Sequence, residues 1–183
     1  MSFIVDLVDR ITGGKSSIPV EEYDRIMVPV FGTPLDDEIV GIAGRLADAA
    51  LDPGEVAPHI DIIYVLKIPL SMALDDPPPP EMIEPANKAL ERAMLVADEY
   101  ETVEWSTAVI RARDVGEGIV EAAIERDVEM IVMGAEPPSK VLGGAIWGGI
   151  GASRPPEIGP VTEYVLRRAP VRVLLNAPAD TGA

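Results

Sequence analysis

The residues best placed to do chemistry in this chain are glycines and the backbone amides around them. An apolar run, Met130 to Met133, stops at Gly134. A loop rich in glycine and proline follows. It carries Gly143, Gly144, Gly148, Gly149 and Gly151 and closes at Gly159. A helical pattern then runs from Pro160 to Arg168, and a second apolar run spans Val171–Leu175. Strand, glycine-bearing loop, helix, strand is the order in which N–H groups at a helix start can hold an anion such as phosphate. Lys140, Arg154, Arg167 and Arg168 lie near this unit and carry charge that could neutralise a phosphate, arginine in bidentate fashion. Arg167 and Arg168 fall in the last turn of the helix, where cations are favourable without any ligand, and we read both that way. Trp147 stands among the glycines. We read it as an anchor against the chain's own surface or a subunit, ahead of a ring stacked on a base.

Other reactive types are sparse. His59 is the sole histidine and there is no cysteine. A histidine-based metal site, a thiolate nucleophile and a supported catalytic triad are therefore not expected. Asp36, Asp37 and Glu38 read as acids at a helix start rather than metal ligands. Asp75 and Asp76, beside the prolines, read as solvated. Gly14-Lys15-Ser16 matches the end of a phosphate-binding P-loop, but the earlier glycine it requires is Asp9 and the preceding pattern is helical. Residues 12–17 therefore read as a linker. Arg111 and Arg113 flank the end of a strand, where one could point at a ligand. No nucleophile–base pair stands out, so the expectation is a binding or regulatory protein rather than a turnover enzyme.

The elements that must position these groups follow from periodicity. Arg25–Phe31, Ile60–Leu66, Val103–Arg111, Met130–Met133 and Val171–Leu175 read as strands. Asp36–Ala50, Ala86–Tyr100, Val115–Arg126 and Pro160–Arg168 read as helices, the third capped by Asp114. Four prolines at 77–80 read as an extended surface loop. Strands alternating with helices predict an α/β fold: a five-stranded, doubly wound parallel sheet sandwiched by helices. Ligands in such sheets sit at the carboxyl ends of the strands, here Val30–Phe31–Gly32, Val65–Leu66, Arg111–Ala112 and Met133–Gly134. Ahead of the domain, Phe3, Ile4, Leu7, Val8 and Ile11 share one face of an amphipathic helix. The expected division is an N-terminal helix and linker over 1–22, one domain over 23–177, and a tail over 178–183.

Composition limits the partners. Fifteen Lys and Arg against 31 Asp and Glu give a net charge of −16, a field that repels nucleic acid and anionic lipid. Aromatics make up 4%, so the core must be aliphatic. No stretch approaches the roughly 20 apolar residues of a membrane span. Asp6 and Asp9 interrupt the N-terminal apolar segment, which argues against a signal peptide. A cytoplasmic location is the expectation.

Taken together, IMVPV, IIYVL, RARDVGEGIVEAAIERDVEMIVMGA and the closing GPVTEYVLRRAPVRVLL resemble the universal stress protein family over residues 23–177. The resemblance implies an adenine nucleotide alpha hydrolase-like fold. It implies ATP or AMP as ligand, with Mg2+ only alongside the nucleotide, and a sensor or regulator in stress response. It also implies a homodimer formed through Val171–Leu175. By position, adenine is implied beside Pro29, Val30 and Val65. An acidic residue contacts the ribose in many members, and Phe31 stands in its place here. The family's phosphate motif is glycine, two residues, glycine, nine residues, then glycine with serine or threonine. Gly134, directly after Met133, matches its start. Pro137 replaces the second glycine, and Gly159-Pro160 stands at the closing pair, with Thr162 two residues on. Gly143 and Gly144 in the lengthened loop offer further N–H donors. Two alternatives stay open. One is a nucleotide-free interaction module, such as a transporter-associated regulator, docking a protein partner through loop 135–158. The other is a binder of cyclic di-AMP.

Overall fold

Apolar runs bounded by turn residues become strands, and the segments between them become helices. The computed structural model describes residues 23–50, 58–135 and 159–177. The elements are β1 (Arg25–Pro29), α1 (Leu35–Ala50), β2 (His59–Lys67), α2 (Pro80–Ala97), β3 (Glu104–Ala112), α3 (Val115–Glu125), β4 (Met130–Gly134), α4 (Pro160–Arg168) and β5 (Arg172–Asn176). The expected helix over residues 3–11, the glycine-rich stretch 136–158 and the tail lie outside the described residues.

The five strands form one sheet in the order β3-β2-β1-β4-β5, every neighbouring pair parallel. The expected five-stranded doubly wound architecture is what the structure shows. Alternation along the strands divides the core into two layers. Ile26, Val28, Ile60, Ile62 and Val132 meet Ile39, Val40 and Ala43 of α1 and Ala89, Leu90 and Ala93 of α2. Met27, Ile63, Ile131 and Met133 meet Ile119, Ala122 and Ala123 of α3 and Val165 of α4. Both faces are aliphatic, as a parallel sheet covered twice requires. Burying one such side chain stabilises the fold by about 1.5–3 kcal/mol.

The helix boundaries differ from the sequence reading in one informative place. α2 begins at Pro80, five residues before its own internal Pro85. Proline at the first helical position gives up no hydrogen bond, because that N–H has no partner within a helix. The last of the four prolines therefore opens the helix instead of extending the loop. Asp114 caps α3 as expected, its carboxylate accepting from the N–H groups of Gly116 (3.0 Å) and Glu117 (3.3 Å). α3 ends at Glu125 with Arg126 as its cap, and Asp127 follows with φ of +53°, the left-handed turn usual after a helix.

The loop between β2 and α2 is tied down by two arginines. Arg113 donates to the carbonyls of Ile68 (3.2 Å), Pro69 and Met72 (2.8 Å). Arg111 donates to the carbonyls of Asp75 (3.3 Å) and Asp76 (3.1 Å).

The opposite edge of the sheet, where strands begin, holds an ionic cluster that composition did not announce. Asp61 is 5% exposed. Its Oδ1 accepts from the Ser106 hydroxyl and from Arg126 Nη1 at 3.2 Å, and His59 Nε2 stands 3.4 Å away. The register of β2 on β3 sets His59 beside Glu104 and Asp61 beside Ser106. Arg25 completes the arrangement by donating to the carbonyl of Arg126 at 2.9 Å. This cluster joins β1, β2, β3 and the end of α3.

Candidate functional site

The strand order fixes where a ligand can enter. From β1 the chain moves outward on one side to β2 and β3, then returns past β1 to β4 and β5. Connections leave β1 and β4 in opposite directions, which opens a crevice between their carboxyl ends. α4 leads into β5, which runs parallel to β4, so α4 begins at this same end of the sheet. Its first turn carries the partial positive charge of a helix start.

Three of the segments singled out from sequence converge here: the end of β1, the end of β4 and the start of α4. Pro29 closes β1 opposite Ile63. Val30 is 1% exposed and donates its N–H to the carbonyl of Ile63 at 2.9 Å. Phe31 is half-buried and packs against the layer covered by α3 and α4. Met133 is fully buried beside Leu175, and Gly134 pairs with Asn176. Gly159 is buried as the residue preceding α4, and Thr162 is fully buried in its first turn. Val65 lies further along the sheet, 7% exposed and packed beneath α3. Gly143 and Gly144, with Pro137, Lys140, Trp147 and Arg154, lie outside the described residues.

Gly134 cannot carry a larger side chain cheaply. A Cβ there would stand 2.6 Å from Cδ2 of Leu35, the first residue of α1. Leu35 therefore covers the end of β4 from the α1 side, while Phe31 lies toward the other face.

The turn between β1 and α1 is built around a carboxylate. Gly32, at φ +76°, reverses the chain so that three successive amides point inward. Asp36 Oδ2 accepts from the N–H groups of Phe31 (3.1 Å), Gly32 (2.7 Å) and Thr33 (2.9 Å). Its Oδ1 accepts from the Thr33 hydroxyl at 3.1 Å. Consecutive amides of this kind form an anion nest. Here the protein's own carboxylate fills it, and Asp36 is 6% exposed. The acid run was read as helix-start acids, and for Asp36 the contact is more specific than a favourable dipole. Asp37 instead accepts from Arg92 at 2.6 Å. That hydrogen bond, with the charge of Asp37, holds the Arg92 guanidinium above its usual range.

Replacing Asp36 with alanine strands three inward amides. It is expected to lower the stability of the fold by about 1.5 kcal/mol, the cost of leaving such donors without an acceptor. Urea unfolding of the variant measures this. Sulfate should restore part of the loss in the variant and not in the parent, because only the variant presents an open nest.

Arg111 and Arg113 do not reach into this crevice. Their guanidinium groups are held by the carbonyls of residues 68–76. Arg167 pairs with Glu163 one turn away at 2.6 Å, at the far end of α4. His59 sits at the start of β2, at the opposite end of the strands. Among the described residues no group of three His, Cys, Asp or Glu side chains is arranged to hold a metal ion. No helix among them is long and apolar enough to cross a membrane.

The profile of the universal stress protein family matches residues 22–175. The chain belongs to the universal stress protein family. Solved structures agree on the architecture. A universal stress protein from Archaeoglobus fulgidus superposes with a TM-score of 0.60 at 19% identity, covering 84% of this chain and 98% of that one. A universal stress protein from Archaeoglobus fulgidus in complex with dAMP gives 0.57 at 17% identity, covering 84% and 98%. A universal stress protein in complex with cAMP gives 0.61 at 16% identity, covering 85% and 98%. At these identities the likeness establishes the fold shared with the family. No protein of curated function matches the sequence.

Proposed function

We propose that this protein is an adenine-nucleotide-binding regulator of the universal stress type, acting by occupancy rather than turnover. The observation that carries the reading is the convergence of the β1 and β4 ends with the start of α4 at the switch point of the sheet. Relatives of the same fold are described in complex with cAMP and with dAMP, which supports an adenine nucleoside phosphate as the ligand class. Phe31, half-buried just beyond β1, offers an apolar edge for the base. The phosphates belong at the start of α4 and along loop 135–158, not on the β1–α1 turn, whose amides already hold Asp36. Mg2+ enters only with a bound triphosphate.

Dimerisation through β5 fits this reading. Val173, Leu174 and Leu175 are half-buried on an edge with no further strand among the described residues. Such an edge pairs readily with a second copy. The expected location is the cytoplasm.

A second reading, a nucleotide-free interaction module, is favoured by Leu35 lying over Gly134 and by Phe31 at the usual ribose-contacting position. A thermal-shift comparison of ATP, AMP and cyclic di-AMP separates the two. Ligand at about 100 times its dissociation constant stabilises by ~2.7 kcal/mol. For a domain of this size that raises Tm by roughly 5–10 °C. A shift with AMP or ATP supports the proposal, and a shift with cyclic di-AMP alone moves the ligand class to dinucleotides. No shift with any of them supports the interaction module.

A further inference from the structure

β3 is the edge strand at the end of the sheet opposite β5, and it runs for nine residues. Its backbone polarity can be read from its two ends. Glu104 N donates to the Pro58 carbonyl at 3.1 Å, and the Ala112 carbonyl accepts from Ile68 N at 2.8 Å. In a parallel ladder both main-chain groups of a residue point to one side, and the side alternates. Residues 104, 106, 108, 110 and 112 therefore face β2. Trp105, Thr107, Val109 and Arg111 aim their N–H and C=O groups outward, where the described residues supply no neighbouring strand.

Beside this edge lies an open groove of 470 Å³ between α2 and β3, lined by Asn87, Leu90, Glu91, Met94, Leu95 and Thr107. Leu95 is 73% exposed there. A strand added at the usual 4.8 Å spacing would send alternate side chains onto the α2 side, where Leu90, Met94 and Leu95 offer apolar contact.

Charge selects the occupant. Glu91 lines the groove, Asp98, Glu99 and Glu101 are exposed between the end of α2 and the start of β3, and Glu104 is exposed on the other face of β3, 3.6 Å from His59 Nδ1. The nearby cations already have partners: Lys88 with Glu84 at 2.6 Å, Arg92 with Asp37 at 2.6 Å, and Arg111 with the carbonyls of Asp75 and Asp76. A second copy would bring the same acids to its own image. The β5 edge differs, since Arg172 stands on that strand and Arg167 and Arg168 on the helix leading to it.

We propose that the β3 edge and the α2 groove together form a docking surface for an extended, basic segment of a partner protein. The segment pairs with β3 through its main chain and places alternate apolar residues against Leu95 and Met94. Its lysines or arginines face the acidic rim.

The test uses the full chain and a fluorescein-labelled nine-residue peptide alternating lysine and valine, matched in length to β3. A control peptide replaces the valines with proline, which keeps the charge and removes main-chain donors. At about 0.15 M salt, where distant charges are screened, the first peptide should bind at least about tenfold more tightly than the control. The Leu95→Ser variant should weaken binding about tenfold by removing the apolar contact without changing the charge. The Val109→Pro variant should do the same, because proline is tolerated where an edge N–H faces outward and only the added strand loses its partner. Circular dichroism confirms that each variant is folded, and Leu95→Ser, at an exposed position, serves if Val109→Pro is not. Equal binding of the two peptides would overturn the proposal, since it would mean attraction to net charge alone. Unchanged binding to Leu95→Ser would overturn it too. So would a dimer, seen by sedimentation, that Val109→Pro dissolves, because a second copy would then hold the edge.

Discussion

Replacing Gly118 with valine should destabilise the protein by about 3 kcal/mol, at the upper end for overpacking a well-filled core. A Cβ at this position would lie 2.7 Å from Ala112 Cβ and 2.8 Å from Val65 Cγ1. Ala112 Cβ is fixed to the backbone of β3 and has no rotamer to adopt. Val65 is wedged on β2 at 7% exposure. The only relief is to lift α3 off the sheet, which opens the layer formed by Ile119, Ala122 and Ala123. Chemical denaturation gives the magnitude, and a change under 1 kcal/mol would mean that α3 rides higher than described. Gly41 supplies a control of opposite sign. Its Cβ would meet only Arg45 Nη1 at 3.4 Å and Tyr100 Oη at 3.6 Å. Gly41→Ala, inside α1, should therefore stabilise by about 0.5–1 kcal/mol by removing a helix-interior glycine.

The second large effect is expected at Asp61. Removing one partner of a buried ionic group leaves the others uncompensated, at a cost of about 3–5 kcal/mol when all are buried. Arg126 and His59 keep about a third of their side-chain surface in water, at 31% and 34%. Asp61→Ala should therefore fall at the lower end, near 3 kcal/mol. A double-mutant cycle with Arg126→Ala tests the cause. The pair should cost clearly less than the sum of the two single changes, because the arginine's loss matters little once its acceptor is gone. Additive costs would show that the two side chains do not depend on each other.

Much of the architecture could be read from the chain because the signals were local. Apolar runs such as IDIIYVL and MIVM admit few alternatives to buried strands, and Asp114 three residues before Glu117 marks a helix start. The start of α2 was obscured because proline reads as a breaker unless its position within a first turn is known. Arg111 and Arg113 were located correctly in the chain, but their direction depends on carbonyls 35 to 45 residues away. No periodicity encodes such contacts. The ionic cluster at the strand starts was missed for a related reason. Asp61 pairs with Ser106 through inter-strand register, and Arg126 arrives from the end of a helix. One clue was available: a single acid inside an apolar strand needs partners. At the candidate site, the glycines at 134 and 159 were singled out from the order of strand, loop and helix and from the family resemblance. The filled nest at Asp36 was not, because it requires Gly32 in a left-handed turn.

An all-parallel sheet has two unlike poles. In this protein the electrostatic knot around Asp61 lies at one, and the opening between β1 and β4 at the other, with nine-residue β2 spanning roughly 30 Å between them. Changes to exposed side chains at the second pole, away from the Asp36 turn and Gly134, can reshape that opening while leaving the share of heat resistance set at the first untouched. A variant altered only around that opening can therefore still accumulate as an intact, well-behaved fold.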